Sequence, residues 1–352
     1  MCASTTNPRT ANTAAPPGSN AGRANDQVIG RFAPTPSGRM HLGNVFSALM
    51  AWLAARSAGG RMILRIEDLD PRAQDRTVAN LLMNDLAWLG LNWDEGPYFQ
   101  SERGDLYAEA IERLSSQGLT YPCFCTRSEL HAATAPHASD GTYVYQGTCR
   151  NLSPEEVARK SKLRPPATRL RVPGEGDPMG TISFYDMVYG PCSEILAREC
   201  GDFLVRRSDG VVAYQLAVVV DDALMGVTQV VRGHDLLGSV PRQMYLQRQL
   251  GLRTPSYAHV PLLIDPDGRR LSKRDHDLDL GIIRDEGRTA RQVIGFLASL
   301  VGLAEKGEEV SADELVPHFS WDVLREHRSD IVMDHGAFPP STNALREEMG
   351  NG

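Results

Sequence analysis

The stretch Val28-Ile29-Gly30-Arg31-Phe32-Ala33-Pro34-Thr35-Pro36-Ser37-Gly38-Arg39-Met40-His41-Leu42-Gly43-Asn44 carries a short apolar run across a proline-rich bend into a helical pattern. Val28 to Phe32 predicts a strand, stopped by Pro34 and Pro36, which hold the residues before them in extended backbone. From Val45 to Ser57, the residues Phe46, Leu49, Met50 and Leu53 recur at helical spacing, and Gly59-Gly60 ends the pattern. Met62 to Ile66 predicts a second strand, with Glu67, Asp68 and Asp70 at its carboxyl end. Strand, glycine-containing turn, helix and strand in this order open a doubly wound, Rossmann-type α/β sheet, whose ligands bind beyond the carboxyl ends of the strands.

Further along, helical patterns cover Thr77–Leu89 and Asp105–Gln117. Pro122 to Arg150 is rich in turn formers and reads as the start of an insertion, with strands expected at Thr168–Val172 and Thr181–Tyr185. Tyr214 to Asp222 returns to a buried apolar element. A strand is expected at Gln229–Arg232, a helix at Asp235–Leu250, and a strand at His259–Ile264 closed by the turn Asp265-Pro266-Asp267-Gly268. A last helix is expected at Arg291–Leu303. The resulting division is a disordered leader over 1–26, the first half of the catalytic domain over 27–121 and an inserted subdomain over 122–200. The second half follows over 201–305, and then a short extension over 306–352 in which Trp321 and Leu324 have little core to join.

The 352 residues are 41% apolar and 23% charged, as in ordinary globular proteins. No run is apolar enough for a membrane span and no signal pattern opens the chain, which favours the cytoplasm; a monomer is expected. The net charge of -7 offers no global basic field for nucleic acid, though a local basic face around Arg242 and Arg248 remains open. Six cysteines in such a chain do not suggest a disulfide framework; Cys2, Cys192 and Cys200 read as bystanders.

Two segments carry the chemistry. His41 lies where a strand turns into a helix, where free backbone N–H groups favour an anion, and Gly43 leaves room for a flat base. Taken alone, the same residues would suit an ordinary helix start capped by Ser37 or Asn44. The basic run Arg270-Leu271-Ser272-Lys273-Arg274 follows the Asp265–Gly268 turn, and Lys273 can follow the β- and γ-phosphates as pyrophosphate departs. Alone it is a solvated loop; with His41 it describes an ATP site working at the α-phosphate. Cys123-Phe124-Cys125 places two thiols on one side of an extended strand. Tyr145 and Cys149 add a phenol and a third thiol. Three sulfurs and one oxygen suit one closed, structural zinc site, with His131 or His137 as other candidates for the fourth ligand.

The ordered pair of segments resembles the two signatures of class I aminoacyl-tRNA synthetases. The wording Arg31–Gly38, Arg65-Ile66-Glu67-Asp68-Leu69-Asp70, Tyr214–Asp222 and Val231–Leu237 is similar to the glutamyl subgroup, over residues 28–303. The chain ends at Gly352, which leaves little room after Arg274 for that subgroup's helical anticodon-binding region. In this it resembles the truncated glutamyl-Q tRNA(Asp) synthetase family. The resemblance implies activation of L-glutamate with ATP and Mg²⁺, then transfer to queuosine-containing tRNA(Asp), with no anticodon-binding domain. It implies catalytic roles for His41, Gly43 and Lys273, and ATP contacts for these with Asn44 and Ser272. Glutamate would be held by Arg31, Phe32, Ala33, Pro34, Thr35, Glu67, Tyr214 and Arg232: the arginines and the phenol on its side-chain carboxylate, Glu67 on its ammonium. The zinc set Cys123, Cys125, Tyr145 and Cys149 is the family's own.

Some positions depart from the pattern. Asn44 replaces a second histidine, Leu271 a methionine, and His234 stands beside Arg232 where a small residue is expected, to crowd the pocket or contact substrate. The Cys125–Tyr145 segment is longer than the family needs. Three rival readings remain: a glutamyl-tRNA synthetase charging a tRNA 3′ end, a non-catalytic RNA-binding paralogue, and a small-molecule nucleotidyltransferase.

Overall fold

The fold is described from a computed structural model, which defines residues 27–126, 129, 144–269, 271 and 279–333. Strand β1 (Ile29–Phe32) pairs in parallel with β2 (Arg61–Ile66), and β2 with β3 (Glu95–Phe99). A second set is ordered β7 (Gly190–Ile195), β6 (Thr181–Asp186), β10 (Ser256–Val260), β9 (Gln229–Gly233), parallel except for the β6–β7 hairpin. The two sets run side by side: Thr228 N donates to the Ile29 carbonyl at 3.0 Å, and Arg31 Nη1 to the Val231 carbonyl at 3.2 Å. The first half therefore winds away from β1 and the second away from β9. The reversal leaves a crevice beyond the carboxyl ends of these two strands.

Helix α1 (Leu42–Ser57) fills the space behind that crevice. Leu42, Val45, Phe46, Leu49, Met50, Trp52 and Leu53 are all buried, so the helix is apolar nearly all round and acts as a central post. Each such side chain contributes roughly 1.5–3 kcal/mol by leaving water. Helices α2 (Arg76–Trp88) and α3 (Gly104–Ser116) follow in the first half. An antiparallel sheet of β4 (Thr120–Cys123), β5 (Ala167–Leu170) and β8 (Phe203–Arg206) forms a separate layer, with α4 (Pro154–Ser161) in its connection. Helices α5 (Tyr214–Leu224) and α6 (Val240–Leu250) flank β9, and α7 (Leu280–Asp285) and α8 (Ala290–Ser299) complete the body.

Several elements differ from expectation. The β6–β7 hairpin, assigned to the insertion, extends the second set instead, through Asp186 opposite Tyr257. Pro261, which lacks an N–H, divides the expected His259–Ile264 strand into β10 and the short β11 (Leu263–Ile264). Pro241 is confined to a first turn, so the expected helix from Asp235 splits into a 3-10 segment, His234–Ser239, and α6. The final stretch has more core than its composition suggested. Strand β12 (Ile331–Val332) pairs with β11, and Val310, Ala312, Leu315, Leu324 and Met333 join the cluster around α1. Among the described residues, no helix is long and apolar enough to cross a membrane.

Candidate active site

A cavity of about 720 Å³ opens at the β1/β9 reversal. Arg31 to Thr35 and Glu67 line it from the first half, Tyr214 and Arg232 from the second, and His41 and Asn44 from the start of α1. Ala48, Ala51, Leu82 and Leu86 give one wall an apolar lining. Leu271 also lines the cavity and is buried; the other signature positions, Arg270, Ser272, Lys273 and Arg274, lie outside the described residues.

His41 is the N-cap of α1 in extended backbone, with no side-chain cap bond and no acidic residue in the first turn. The positive end of a sixteen-residue helix therefore faces the cavity with no acidic side chain of its own first turn to offset it. Gly43 sits behind the imidazole: a Cβ there would lie 3.3 Å from both His41 Cε1 and Nδ1. The glycine thus makes room for the histidine ring. The His41 segment is also tied to the residues that follow the signature run. His41 bridges Asp279, and Leu280 N donates to the Met40 carbonyl at 2.9 Å. The buried carboxylate of Asp85 joins Arg284 Nη1 at 3.1 Å and Arg39 Nη1 at 3.5 Å, and burial raises its pKa.

At the amino-acid end, charge is arranged in a buried chain. Arg65 Nη1 lies 2.6 Å from Asp222 Oδ1, and its Nη2 3.2 Å from Glu67 Oε1. Burial works against the Arg65 charge, but Asp222, Glu67 and Asp221 outweigh it and hold the guanidinium protonated. Arg31 approaches Asp222 at 3.6 Å; burial lowers its pKa while Asp222 opposes. Desolvation pushes the Glu67 carboxyl up, against Arg65 and Arg31. It also raises Tyr214, which stays a phenol able to donate to a carboxylate. Arg232 Nη1 reaches Tyr214 OH at 3.4 Å. A small ligand with one carboxylate near Arg31, Tyr214 and Arg232 and an ammonium near Glu67 matches this set.

His234 turns away from the cavity. Its Nε2 is 2.6 Å from Asp330 Oδ1, so it neither crowds the pocket nor lines it. The sequence reading gave no role to Arg65, Asp186, Asp222 or His259. The signal available was charge inside apolar strands and helices: Arg65 within Met62–Ile66 and Asp221-Asp222 after three valines.

Across the molecule from these groups in sequence, Cys123, Cys125 and Cys149 bring their sulfurs within 4.8 Å of one another. Tyr145 OH lies 3.6 Å from the sulfurs of Cys123 and Cys125, and Cys125 Sγ lies 3.6 Å from Cys149 Sγ. A zinc tetrahedron with Zn–S bonds of about 2.3 Å has edges of roughly 3.8 Å, so the donor set fits that ion. Gly201, at φ +61°, lets the chain pass against Tyr145, whose carbonyl oxygen a Cβ would approach to 2.7 Å. Burial opposes the Cys123 thiolate, but backbone and side-chain donors outweigh it and lower the pKa; Arg169 Nε is 3.3 Å from that sulfur. Burial pushes the Cys125 thiol up to about 12. The alternative ligands His131 and His137 lie outside the described residues.

Residues 27–335 match the family model of class I tRNA synthetases (E and Q), catalytic domain. The chain is 52% identical over 317 residues to a protein of Symbiobacterium thermophilum called glutamyl-Q tRNA(Asp) synthetase, spanning 86% of this chain and 95% of that one. A protein of Nitratidesulfovibrio vulgaris with the same name is 50% identical over 287 residues, 78% of this chain and 87% of the other. Among solved structures, a glutamate tRNA ligase from Elizabethkingia meningosepticum, in complex with its amino acid, superposes with a TM-score of 0.73 at 28% identity. That match covers 89% of this chain and 68% of the ligase.

Proposed function

This chain belongs to the class I tRNA synthetases of the glutamate and glutamine type, and on that premise we propose that it activates L-glutamate with ATP and transfers it to queuosine in tRNA(Asp). The observation that carries the reading is one cavity lined both by the His41 end of α1 and by Arg31, Glu67, Tyr214 and Arg232. Identities of 50% and more with relatives named for this reaction favour queuosine over a tRNA 3′ end.

In the first step a glutamate α-carboxylate oxygen attacks the α-phosphorus of MgATP in line, forming glutamyl-adenylate and releasing pyrophosphate. His41 and the N–H groups of α1 meet the charge that grows on the α-phosphoryl oxygens. Lys273 follows Leu271, which lines the cavity, by two residues in the sequence. From there an ammonium can accompany the leaving pyrophosphate. Arg31, Tyr214 and Arg232 hold the side-chain carboxylate and Glu67 the ammonium, which fixes the α-carboxylate toward phosphorus. In the second step a hydroxyl of the queuosine cyclopentenediol attacks the activated carbonyl, and AMP leaves. No enzyme nucleophile is needed.

Cys123, Cys125, Tyr145 and Cys149 would hold a structural zinc ion that ties β4 to the Tyr145–Cys149 turn, with no part in the chemistry. Arg169 beside Cys123 would steady the thiolate charge. The cavity reading is tested by glutamate-dependent ATP–pyrophosphate exchange. Lys273→Ala is expected to lower it by about 10²-fold or more, as removal of a charge-stabilising group does. Exchange at the wild-type rate in that variant would remove the loop from the mechanism.

A further inference from the structure

We propose that Asp186 and His259, which lie behind the cavity wall, are positioning residues that fix Arg232 for the substrate's side chain and set the preference for a carboxylate over a carboxamide. The pair is fully buried. Asp186 Oδ1 accepts three backbone N–H groups, from Val188 at 3.0 Å, Tyr189 at 2.9 Å and His259 at 3.3 Å. Its Oδ2 is 2.6 Å from His259 Nδ1. On the far side of the ring, Arg232 Nε lies 3.1 Å from His259 Nε2.

Donor and acceptor identities leave one arrangement. A guanidinium Nε–H can only donate, so Nε2 must be the acceptor, and the ring proton sits on Nδ1 and points to Asp186. The imidazole is then neutral. Among the described residues the other acceptors on Arg232 are neutral as well: Gln243 Oε1 at 3.0 Å, the Leu236 carbonyl at 3.2 Å and Tyr214 OH at 3.4 Å. Gln243 is itself oriented, its Nε2 donating to Gln215 Oε1 at 2.9 Å. Arg31 and Arg65 differ, since each lies against Asp222. Arg232 is thus held in place by dipoles, with its charge left for a ligand to meet. A glutamate side chain supplies the missing anion; glutamine, with the same shape, supplies a dipole and leaves the buried cation unpaired.

The relay can be reversed without changing its size. In Asp186→Asn the three backbone donors keep the amide oxygen at the Oδ1 place, so the NH₂ group faces His259 Nδ1. The ring proton must then move to Nε2, where it meets the Arg232 Nε–H head on. Asp186→Asn is expected to raise the glutamate KM about 10- to 100-fold, the cost of opposing two buried donors. The glutamate-over-glutamine preference should fall in parallel, with the ATP KM held within about threefold. His259→Gln, which keeps a donor toward Asp186 and an acceptor toward Arg232, should be milder. Nitrogen NMR of histidine-labelled protein should find the proton on Nδ1 in the wild type and on Nε2 in Asp186→Asn.

A glutamate KM within about threefold of wild type in Asp186→Asn, or glutamate and ATP KM values rising together, overturns the proposal. Should that variant not fold, the wild type decides: an Nε2-protonated His259 refutes the relay. An Nδ1 proton, with the glutamate preference retained in His259→Gln, supports it. The inference rests on Arg232 receiving the glutamate side chain, and an Arg232→Gln variant with an unchanged glutamate KM would refute that reading instead.

Discussion

Acidification should weaken this fold through one buried side chain, His259. His259 is buried to 0% exposure, and desolvation, helped by the nearby Arg232 charge and opposed by Asp186, lowers its pKa from 6.5 to about 4. Between those values the unfolded chain binds a proton that the folded chain refuses. More protons on the unfolded state mean that stability rises with pH, so this contribution is complete above the unfolded pKa and is lost on the way down. With these two values, linkage gives a loss of about 2 kcal/mol between pH 7 and pH 5, and about 3 kcal/mol by pH 4. The assay is urea unfolding of wild type and His259→Gln at pH 7 and pH 5. Other titrating groups cancel in the difference between the two proteins. The stability gap is expected to narrow by about 2 kcal/mol on acidification, because the glutamine has no proton to refuse. A gap that stays constant within about 0.5 kcal/mol would show that the imidazole is not buried neutral, and would refute the reasoning.

Two further substitutions probe other parts of the site. Gly43→Ala places a Cβ 3.3 Å from two ring atoms of His41, so the imidazole must shift by a few tenths of an ångström. Pyrophosphate exchange should fall about 10-fold or more, with the thermal midpoint little changed, and unaltered exchange would show that the ring's position is unimportant. Cys149→Ser removes one sulfur from the four-donor set. Zinc content by elemental analysis should fall below one ion per chain, and thermal stability should drop with it, whereas unchanged metal content would point to a different ligand.

What the sequence made legible was local. The proline bend, the spacing of Phe46, Leu49 and Leu53, and the alternation in Cys123-Phe124-Cys125 each depend on neighbours a few positions apart. The structure places the bend just after β1, the apolar set in α1 and the thiols in the sulfur cluster. The Arg31, Tyr214 and Arg232 grouping came from resemblance rather than spacing, and those side chains do line one cavity. The charge chain behind them was not legible. Asp186 and His259 are 73 residues apart and Arg65 and Asp222 are 157 apart; only the folded sheet brings them into contact. Strand β3 was missed because Gly96 and Pro97 argue against a strand, and the parallel ladder with β2 overrides that preference. His234 was misread for a related reason: its partner, Asp330, belongs to a C-terminal stretch whose packing on α1 no local pattern announces.

The most direct test of the account is transfer of labelled glutamate, in the presence of ATP, to tRNA(Asp) carrying either queuosine or guanosine at the wobble position. The account predicts label only on the queuosine form, retained after removal of the 3′-terminal adenosine. Equal labelling of both forms, or label lost with that adenosine, would contradict it.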